Sequence, residues 1–572
     1  MNVPPEIPAR ADAAGAPREN HAMPYYQTYD QNVTFYQLIH NYLDKPPLPY
    51  YNSQKERSRN VMRKRDRKYS GNSILRVVFV AVSLLFQVGW ILLTIQRLNQ
   101  YSTWISLLTS LLTISVVLRL YSKHTNAAMK MPWIMLILAF PIMGLSMYLL
   151  FVILGDPGIG RQLADSRQKA QENLSQAPEV QAKLDREDPS AAGQCRYLWK
   201  TAGWPVYGNT QTTYYAEAAD AFEAMKKDLL AAEHFIFMEY FIVEDGSSFR
   251  EIEDILVRKA QAGVDVRLLY DDIGSVGYVN MRFAKRLTQE GIRCYPFNPA
   301  LPFLNLFLNH RDHRKITVID GKVGFTGGYN LADEYFGRVI RLGKWKDTGL
   351  RLEGGAVRSL TAAFLEIWSV QSRDKEDWGT YLNVTRPVAA RGYVQPYTDN
   401  PLTEERTAED VYLNLTSQAN KTLYFTTPYL IISDELARAL RLAAKRGVDV
   451  RIITPGVPDK KTVYAVTRSY YAGLTRQGVR IFEYTPGFCH AKMCVCDGTT
   501  ASIGTSNLDY RSLYHHFENN VLLSGCDAVL DIQADFEAMF PLCREVTEQY
   551  STGRGAMLRT WQCILRLFAP LM

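Results

Sequence analysis

Hydrophobic and polar positions divide the chain into two regimes. Between Val77 and Leu154, three stretches run almost without charge: Val77 to Ile95, Trp104 to Leu118 and Met131 to Leu154. A membrane span needs ~20 apolar residues, so the first and third are long enough, while the second, shorter and rich in Ser and Thr, is marginal. Pro141 lies inside the third and is expected to kink it. From about Gln194 the pattern changes to short apolar runs alternating with amphipathic ones, as strands alternating with helices would give.

That second regime is written twice. Gly263-Val264-Asp265-Val266-Arg267 recurs as Gly447-Val448-Asp449-Val450-Arg451, and Gly291-Ile292-Arg293 recurs as Gly478-Val479-Arg480. Phe235 to Val243 matches Leu423 to Ile431 as a buried strand. Each half reads helix, strand, helix, strand and then a hairpin. The fold expected is therefore α/β, with two pseudo-symmetric lobes in one bilobed unit preceded by membrane helices. The division expected is a flexible, partly basic tail over 1–70, an anchor of two to three helices over 71–155, lobes over 156–375 and 376–550, and a C-terminal amphipathic helix over 551–572. In that last segment Trp561, Ile564, Leu565, Leu567 and Phe568 accompany Arg559 and Arg566, which suits either an interfacial helix or plain core packing.

Composition excludes a mainly disordered chain: of 572 residues, 47% are apolar and 22% charged. The formal net charge of +7 is concentrated in the basic run from Lys55 to Lys68, directly ahead of the first apolar stretch. By the positive-inside rule this holds the N-terminus on the cytoplasmic side. Three crossings would then place the lobes outside, and two would leave them inside. The cysteines, at 195, 294, 489, 494, 496, 526, 543 and 563, show no C-x-x-C spacing or zinc-like pairing with histidine and read as small buried hydrophobes.

The hairpin of each half carries the chemistry. His313-Arg314-Lys315 with Asp320, and His490-Ala491-Lys492 with Asp497, both read H-x-K-x-x-x-x-D, and each is followed by a glycine-bearing turn and an asparagine, Asn330 or Asn507. On a strand, residues i and i+2 share a face, so each His/Lys pair can reach one phosphate. Asp320-Gly321 and Asp497-Gly498 are tight-hairpin dipeptides, which favours a structural role for the aspartates. Asn330 and Asn507, at apparent helix starts, are expected to help neutralise a phosphate.

A doubled His/Lys pair supplies a nucleophile, a proton carrier and two positive charges, which suffices to break and remake a phosphodiester without metal or cofactor. The two imidazoles must do opposite jobs, so their pKa values are expected to be pushed apart. Acidic partners that fix their tautomers are sought downstream, where Asp347 follows His313 and Glu518 follows His490 at comparable distances. The remaining histidines, His21, His40, His124, His234, His310, His515 and His516, lack the doubled context and read as surface or structural residues.

These residues resemble the phospholipase D superfamily, and the closer match is to bacterial cardiolipin synthases. Asn309 to Tyr335 and His490 to Ser512 are similar to the two motifs of those synthases, and Trp104 to Gly155 is similar to their hydrophobic N-terminal module. Thr505 stands where Ser is common and keeps the hydroxyl, while Val77 to Ile95 is an addition to the usual two-span pattern. The resemblance implies two phospholipase D-type lobes and a catalytic set of His313, Lys315, Asp320, His490, Lys492 and Asp497. It also implies a multi-pass protein of the cell membrane acting on phosphatidylglycerol to give cardiolipin and glycerol through a phosphohistidine. Two other readings share the motif: a hydrolytic phospholipase D, and a phosphodiesterase of nucleic acid. The apolar segments and the lack of basic excess outside Lys55 to Lys68 count against the second.

Overall fold

A computed structural model of the chain describes residues 102–299 and 310–552 apart from 154–156, 373–375 and 385, with isolated positions between 85 and 92 and between 562 and 571. The basic run and nearly all of Val77 to Ile95 lie outside the described residues, as does most of the C-terminal segment.

Three helices open the described region: α1 (Ser102–Ser122), α2 (Ala127–Ala139) and α3 (Pro141–Ile153). The third apolar stretch is expected as one kinked helix, and it folds as a hairpin instead. Pro141 disfavours helical geometry in the residue before it, and Phe140 sits at φ −134° and ψ 75°. Gly144 then permits the close return, since an added Cβ would lie 2.7 Å from the Ile137 Cα. Trp133 and Tyr148 close the hairpin edge to face, with ring centroids 5.6 Å apart. Each arm has 13 residues, about 20 Å of helix against the ~30 Å of a bilayer core. Among the described residues no helix is long and apolar enough to cross a membrane. The exteriors are nevertheless apolar: Leu108, Leu111, Leu118, Leu138 and Phe140 are all exposed.

The first lobe contributes β1 (Thr210–Tyr215), β2 (Phe235–Tyr240), β3 (Asp265–Asp271), β4 (Arg293–Phe297), β5 (Arg311–Asp312), β6 (Lys315–Ile319), β7 (Val323–Gly327) and β8 (Gly349–Gly354). The second contributes β9 (Tyr393–Asp399), β10 (Thr422–Thr426), β11 (Leu430–Ile431), β12 (Asp449–Pro455), β13 (Arg480–Tyr484), β14 (Met493–Cys496), β15 (Thr500–Gly504), β16 (Leu508–Asp509), β17 (His516–Ser524) and β18 (Cys543–Glu545). One sheet runs β1-β8-β7-β6-β2-β3-β4; in the other, β9-β17-β15-β14-β10-β12-β13 repeats that order strand for strand, with β18 beyond β13. The central pairs β2–β3 and β10–β12 are parallel, whereas the motif hairpins β6–β7 and β14–β15 are antiparallel. This doubled order is the pseudo-two-fold relation that the sequence repeat implies.

One apolar core crosses both lobes. The helix Val357–Ser372, with Leu360, Phe364 and Trp368 buried, lies in it beside Tyr397, Tyr412 and Phe425 of the second lobe. The visible C-terminal positions join the same body: the Arg566 guanidinium lies 4.3 Å from the Tyr470 ring centroid, and Ala569 is buried.

Candidate active site

Each motif histidine stands just ahead of its hairpin, in chain that pairs with the other lobe. The short strand β5 runs parallel to the start of β17, with Arg311 opposite His516 and Asp312 opposite Phe517. The His313 backbone N–H therefore donates to the Phe517 carbonyl at 2.9 Å. In the symmetry-related place Lys346 donates to the Phe488 carbonyl at 2.9 Å, and the His490 N–H donates to the Lys346 carbonyl at 2.7 Å. Phe517 precedes Glu518, and Lys346 precedes Asp347. The pairing that closes the lobes thus delivers each ring to an acid from across the joint: His313 Nδ1 lies 2.9 Å from both Glu518 oxygens, and His490 Nδ1 lies 2.7 Å from Asp347 Oδ2. Chain order puts Asp347 after His313 and Glu518 after His490; the structure crosses the pairs.

The lysines follow the two-residue rule. Lys315 Nζ donates to the His313 carbonyl at 2.5 Å and lies 5.5 Å from the Phe241 ring centroid, and Lys492 Nζ lies 2.7 Å and 3.0 Å from the two ring nitrogens of His490. All four side chains are buried.

Burial dominates the protonation of this cluster. It pushes Lys315 down to about 7 and Lys492 down to about 8. Burial, reinforced by Lys492, pushes His490 down to about 4, while Asp347 opposes the fall. Burial, then Lys315, His516, Lys492 and His490, hold His313 well below the ordinary histidine value. The two imidazole pKa values are expected to be pushed apart; both are pushed down, His490 to about 4 and His313 well below the ordinary histidine value. The physical reason is that burial penalises the imidazolium of both rings, and Asp347 offsets part of that penalty at His490. Burial holds Glu518 well above the ordinary glutamate value, with Lys315 and the Ser512 and Thr505 hydroxyls opposing the rise. Its carboxyl nevertheless accepts from Thr505 Oγ1 at 2.5 Å, from the Ser512 hydroxyl and from the His313 ring, so the contacts on its oxygens favour the carboxylate.

Asp320 and Asp497, grouped with the catalytic set by the resemblance, take no part in this cluster. Each lies five residues beyond its lysine, at the far end of the motif strand, with φ of 51° and 52° in the left-handed region of a tight turn. Asp320 accepts from the backbone N–H groups of Glu233, His234 and Phe235 at 2.7–2.9 Å, and Asp497 from those of Asn420, Lys421 and Thr422 at 2.7–2.8 Å. They tie the neighbouring strands β2 and β10 to the motif hairpins.

The asparagines differ from expectation as well. No helix follows Asn330, whose Oδ1 accepts from the Ile242 N–H at 3.1 Å and whose Nδ2 donates to Tyr335 at 2.8 Å. After Asn507 comes β16 and then only the six-residue helix Tyr510–His515; the Asn507 N–H donates to Ser512 Oγ at 2.9 Å. Backbone amides at these places are engaged within the protein rather than aimed at an anion.

Sequence reasoning passed over several residues in the site. Phe241 lies edge-on to His313 at 4.9 Å, while Tyr335 and Trp345 wall His490 at 5.3 Å and 5.7 Å. His516, read from sequence as structural, stands 5.4 Å from His313, ring to ring. The signal was present: His516 is two residues before Glu518 on a strand, hence on the same face. Beside Trp345 and Tyr335 opens a groove of about 430 Å³ that also includes Phe336, Val339 and Ile340.

Buried imidazoles paired with acids, beside buried lysines, suit nucleophilic displacement at phosphorus. Comparison with known proteins agrees. Residues 225–342 and 412–540 match the family model described as "Cardiolipin synthase, PLD-like domain", and residues 108–152 match "Phospholipase_D-nuclease N-terminal". An uncharacterised protein of Streptococcus mutans is 41% identical over 462 residues, 80% of this chain and 100% of that protein. A cardiolipin synthase of Halalkalibacterium halodurans is 32% identical over 501 residues, 85% of this chain and 95% of the relative. The crystal structure of phosphatidylserine synthase from Haemophilus influenzae shares the fold at a TM-score of 0.51 and 14% identity, across 66% of this chain and 99% of that one. Motifs, doubled sheet order and relatives agree that the chain belongs to the cardiolipin synthase family of phospholipase D-like enzymes.

Proposed function

We propose that the protein is a membrane phosphatidyltransferase that joins two phosphatidylglycerol molecules into cardiolipin and releases glycerol. The crossed acid–imidazole pairs carry this reading. With Nδ1 engaged by Glu518, His313 presents Nε2 as the neutral nucleophile, and with Nδ1 engaged by Asp347, His490 presents Nε2 as the proton carrier.

His313 Nε2 attacks the phosphorus of the first lipid, forming a P–N bond as the P–O bond to the glycerol headgroup breaks. His490 gives its proton to that oxygen. An incoming phosphodiester favours the imidazolium by placing negative charge beside His490, which Asp347 already supports. Lys315 and Lys492 hold the charge that grows on the phosphoryl oxygens. The now neutral His490 takes the proton from a terminal hydroxyl of the second phosphatidylglycerol, whose oxygen displaces His313 and closes the new diester. One phosphodiester replaces another, so the scheme consumes no nucleotide and asks for no metal.

Water competes with the lipid alcohol, and a site held at the bilayer favours lipid through local concentration. The apolar exteriors of α1, α2 and α3 support seating them in lipid, with Val77 to Ile95 completing a multi-pass anchor. Val339 and Ile340 are exposed at the groove beside Tyr335 and Trp345, which supports that groove as the way in for a lipid.

The test is product analysis with purified protein and labelled phosphatidylglycerol in liposomes. Cardiolipin and glycerol in equal amounts are expected; phosphatidic acid as the sole lipid product would refute the transferase.

A further inference from the structure

His516 is the unused group in this site. The residue is 7% exposed, and neither ring nitrogen makes a hydrogen bond to any described residue. A buried imidazole with both nitrogens idle is costly unless something occupies it. Its Nδ1 lies 3.7 Å from Glu518 Oε1, while Glu518 lies 2.9 Å from His313 Nδ1. One ligand atom from each of His313, His516 and Glu518 fits within 4.8 Å of the others.

We infer that these three side chains form a binding site for a borderline transition-metal ion such as Zn²⁺, and that the bound ion inhibits the enzyme. Two imidazoles and one carboxylate are a ligand set zinc accepts, leaving a fourth position open. Bonds of about 2.0–2.1 Å at tetrahedral angles separate ligand atoms by roughly 3.3 Å; the two separations to Glu518, 2.9 Å and 3.7 Å, straddle that figure, and the two imidazoles, within 4.8 Å, would close in on the ion. The carboxylate is fixed from behind by the Thr505 and Ser512 hydroxyls, the outer support a metal ligand needs.

The surrounding charge permits an ion. Arg311 is neutralised by the buried Asp271 at 2.8 Å, and Lys315 donates to the His313 carbonyl. Lys315, Lys492 and Arg511 still disfavour weakly bound cations, and the nitrogen ligands disfavour Mg²⁺ and Ca²⁺, which require oxygen. Metal coordination would replace the proton shared by His313 and Glu518. The nucleophile would lose both its acid partner and its basicity, so the ion is an inhibitor and not a cofactor. The inhibition rests on the proposed role of His313; the binding does not.

The full chain in detergent is titrated with Zn²⁺ by calorimetry and with Co²⁺ by visible absorption, beside His516→Asn and His516→Gln. Expected is one ion per wild-type chain, with affinity falling at least as far as loss of an outer-shell partner gives, roughly 10- to 100-fold, in both variants. Zn²⁺ should suppress lipid turnover, a chelator should restore it, and Mg²⁺ at equal concentration should do neither. Saturable binding absent from wild type, or equal in wild type and both folded variants, would overturn the site. Intact binding without any cardiolipin formation would leave the site standing and reject the transferase alone.

Discussion

His313 and Glu518 lie 205 residues apart in sequence and in different lobes, yet the ring Nδ1 is 2.9 Å from both carboxylate oxygens. His490 and Asp347 repeat the relation in the opposite sense at 2.7 Å. Neither lobe supplies the acid partner of its own motif histidine, so the reactive unit exists only when both lobes are docked.

Replacing either acid by its amide keeps the shape and removes the charge. In a histidine–aspartate pair of this kind, such a change has cost about 10⁴ in turnover. Glu518→Gln is expected to slow formation of the covalent adduct with His313. Asp347→Asn is expected to slow release of the headgroup through His490. Rapid-quench measurement of glycerol release and of bound phosphatidyl label separates the two, and equal effects on both steps in both variants would contradict the crossed assignment.

The histidines themselves give a sharper distinction. His313→Ala and His490→Ala should each abolish steady-state turnover, but His490→Ala retains the nucleophile. With a substrate whose leaving group needs no proton, His490→Ala should form the phosphatidyl adduct and His313→Ala should not. Mass spectrometry of the peptide carrying each residue checks this, and an adduct on residue 490 would reverse the roles.

Burial sets the alkaline limit. Lys315, pushed down to about 7, and Lys492, pushed down to about 8, lose their charge as pH rises through those values. The catalytic efficiency kcat/KM should therefore fall between about pH 7 and 8, well below the ordinary lysine value of 10.5. The stability contribution has the opposite sign. Between those values and 10.5 the unfolded chain binds more protons than the folded one, so the cost of burying these lysines shrinks as pH rises. Falling activity beside unchanged or rising melting temperature distinguishes ionisation from denaturation.

The doubled motif and the repeat were legible because strand alternation and Asp-Gly turns are local: Asp320 and Asp497 could be read as turn residues from sequence. The crossing of the acids was not legible, because it depends on β5 pairing with β17 and on Lys346 pairing with Phe488, contacts between chain segments more than a hundred residues apart. The break at Phe140 was half legible. Pro141 announced a disturbance, but the close return depends on Gly144 meeting Ile137, which no periodicity encodes.

Asp320→Ala should damage stability rather than chemistry. It strips acceptors from three backbone N–H groups, each costing about 1–3 kcal/mol if left buried and unpaired. A clear drop in melting temperature is expected, with the alkaline limb of kcat/KM unmoved in the protein that remains folded. Asp497→Ala should behave alike. A shifted pH profile at unchanged stability would return these aspartates to the chemistry.

The last prediction concerns a place where the pseudo-symmetry is broken beside the acids. Thr505 of the second lobe donates its hydroxyl to Glu518, whereas its counterpart in the first lobe is Gly328. A Cβ at Gly328 would lie 2.1 Å from Asp347 Oδ1, so no side chain fits there while Asp347 holds His490. Asp347 instead takes the backbone N–H of Thr348 at 2.9 Å. Gly328→Ala must push Asp347 off its ring, and a displacement on the scale of 1 Å costs about 10²-fold in rate. Thr505→Ser keeps the hydroxyl and should stay near the wild-type rate, while Thr505→Val removes a hydrogen bond to a charged group, worth about 1.5–3 kcal/mol, and should lose roughly 10- to 100-fold as Glu518 loses its support. Single-turnover rates resolve where the damage falls: headgroup protonation for Gly328→Ala, nucleophilic attack for Thr505→Val. Gly328→Ala at full activity would mean that Asp347 can leave His490 without consequence, and the acid–imidazole pair would lose its role in proton transfer.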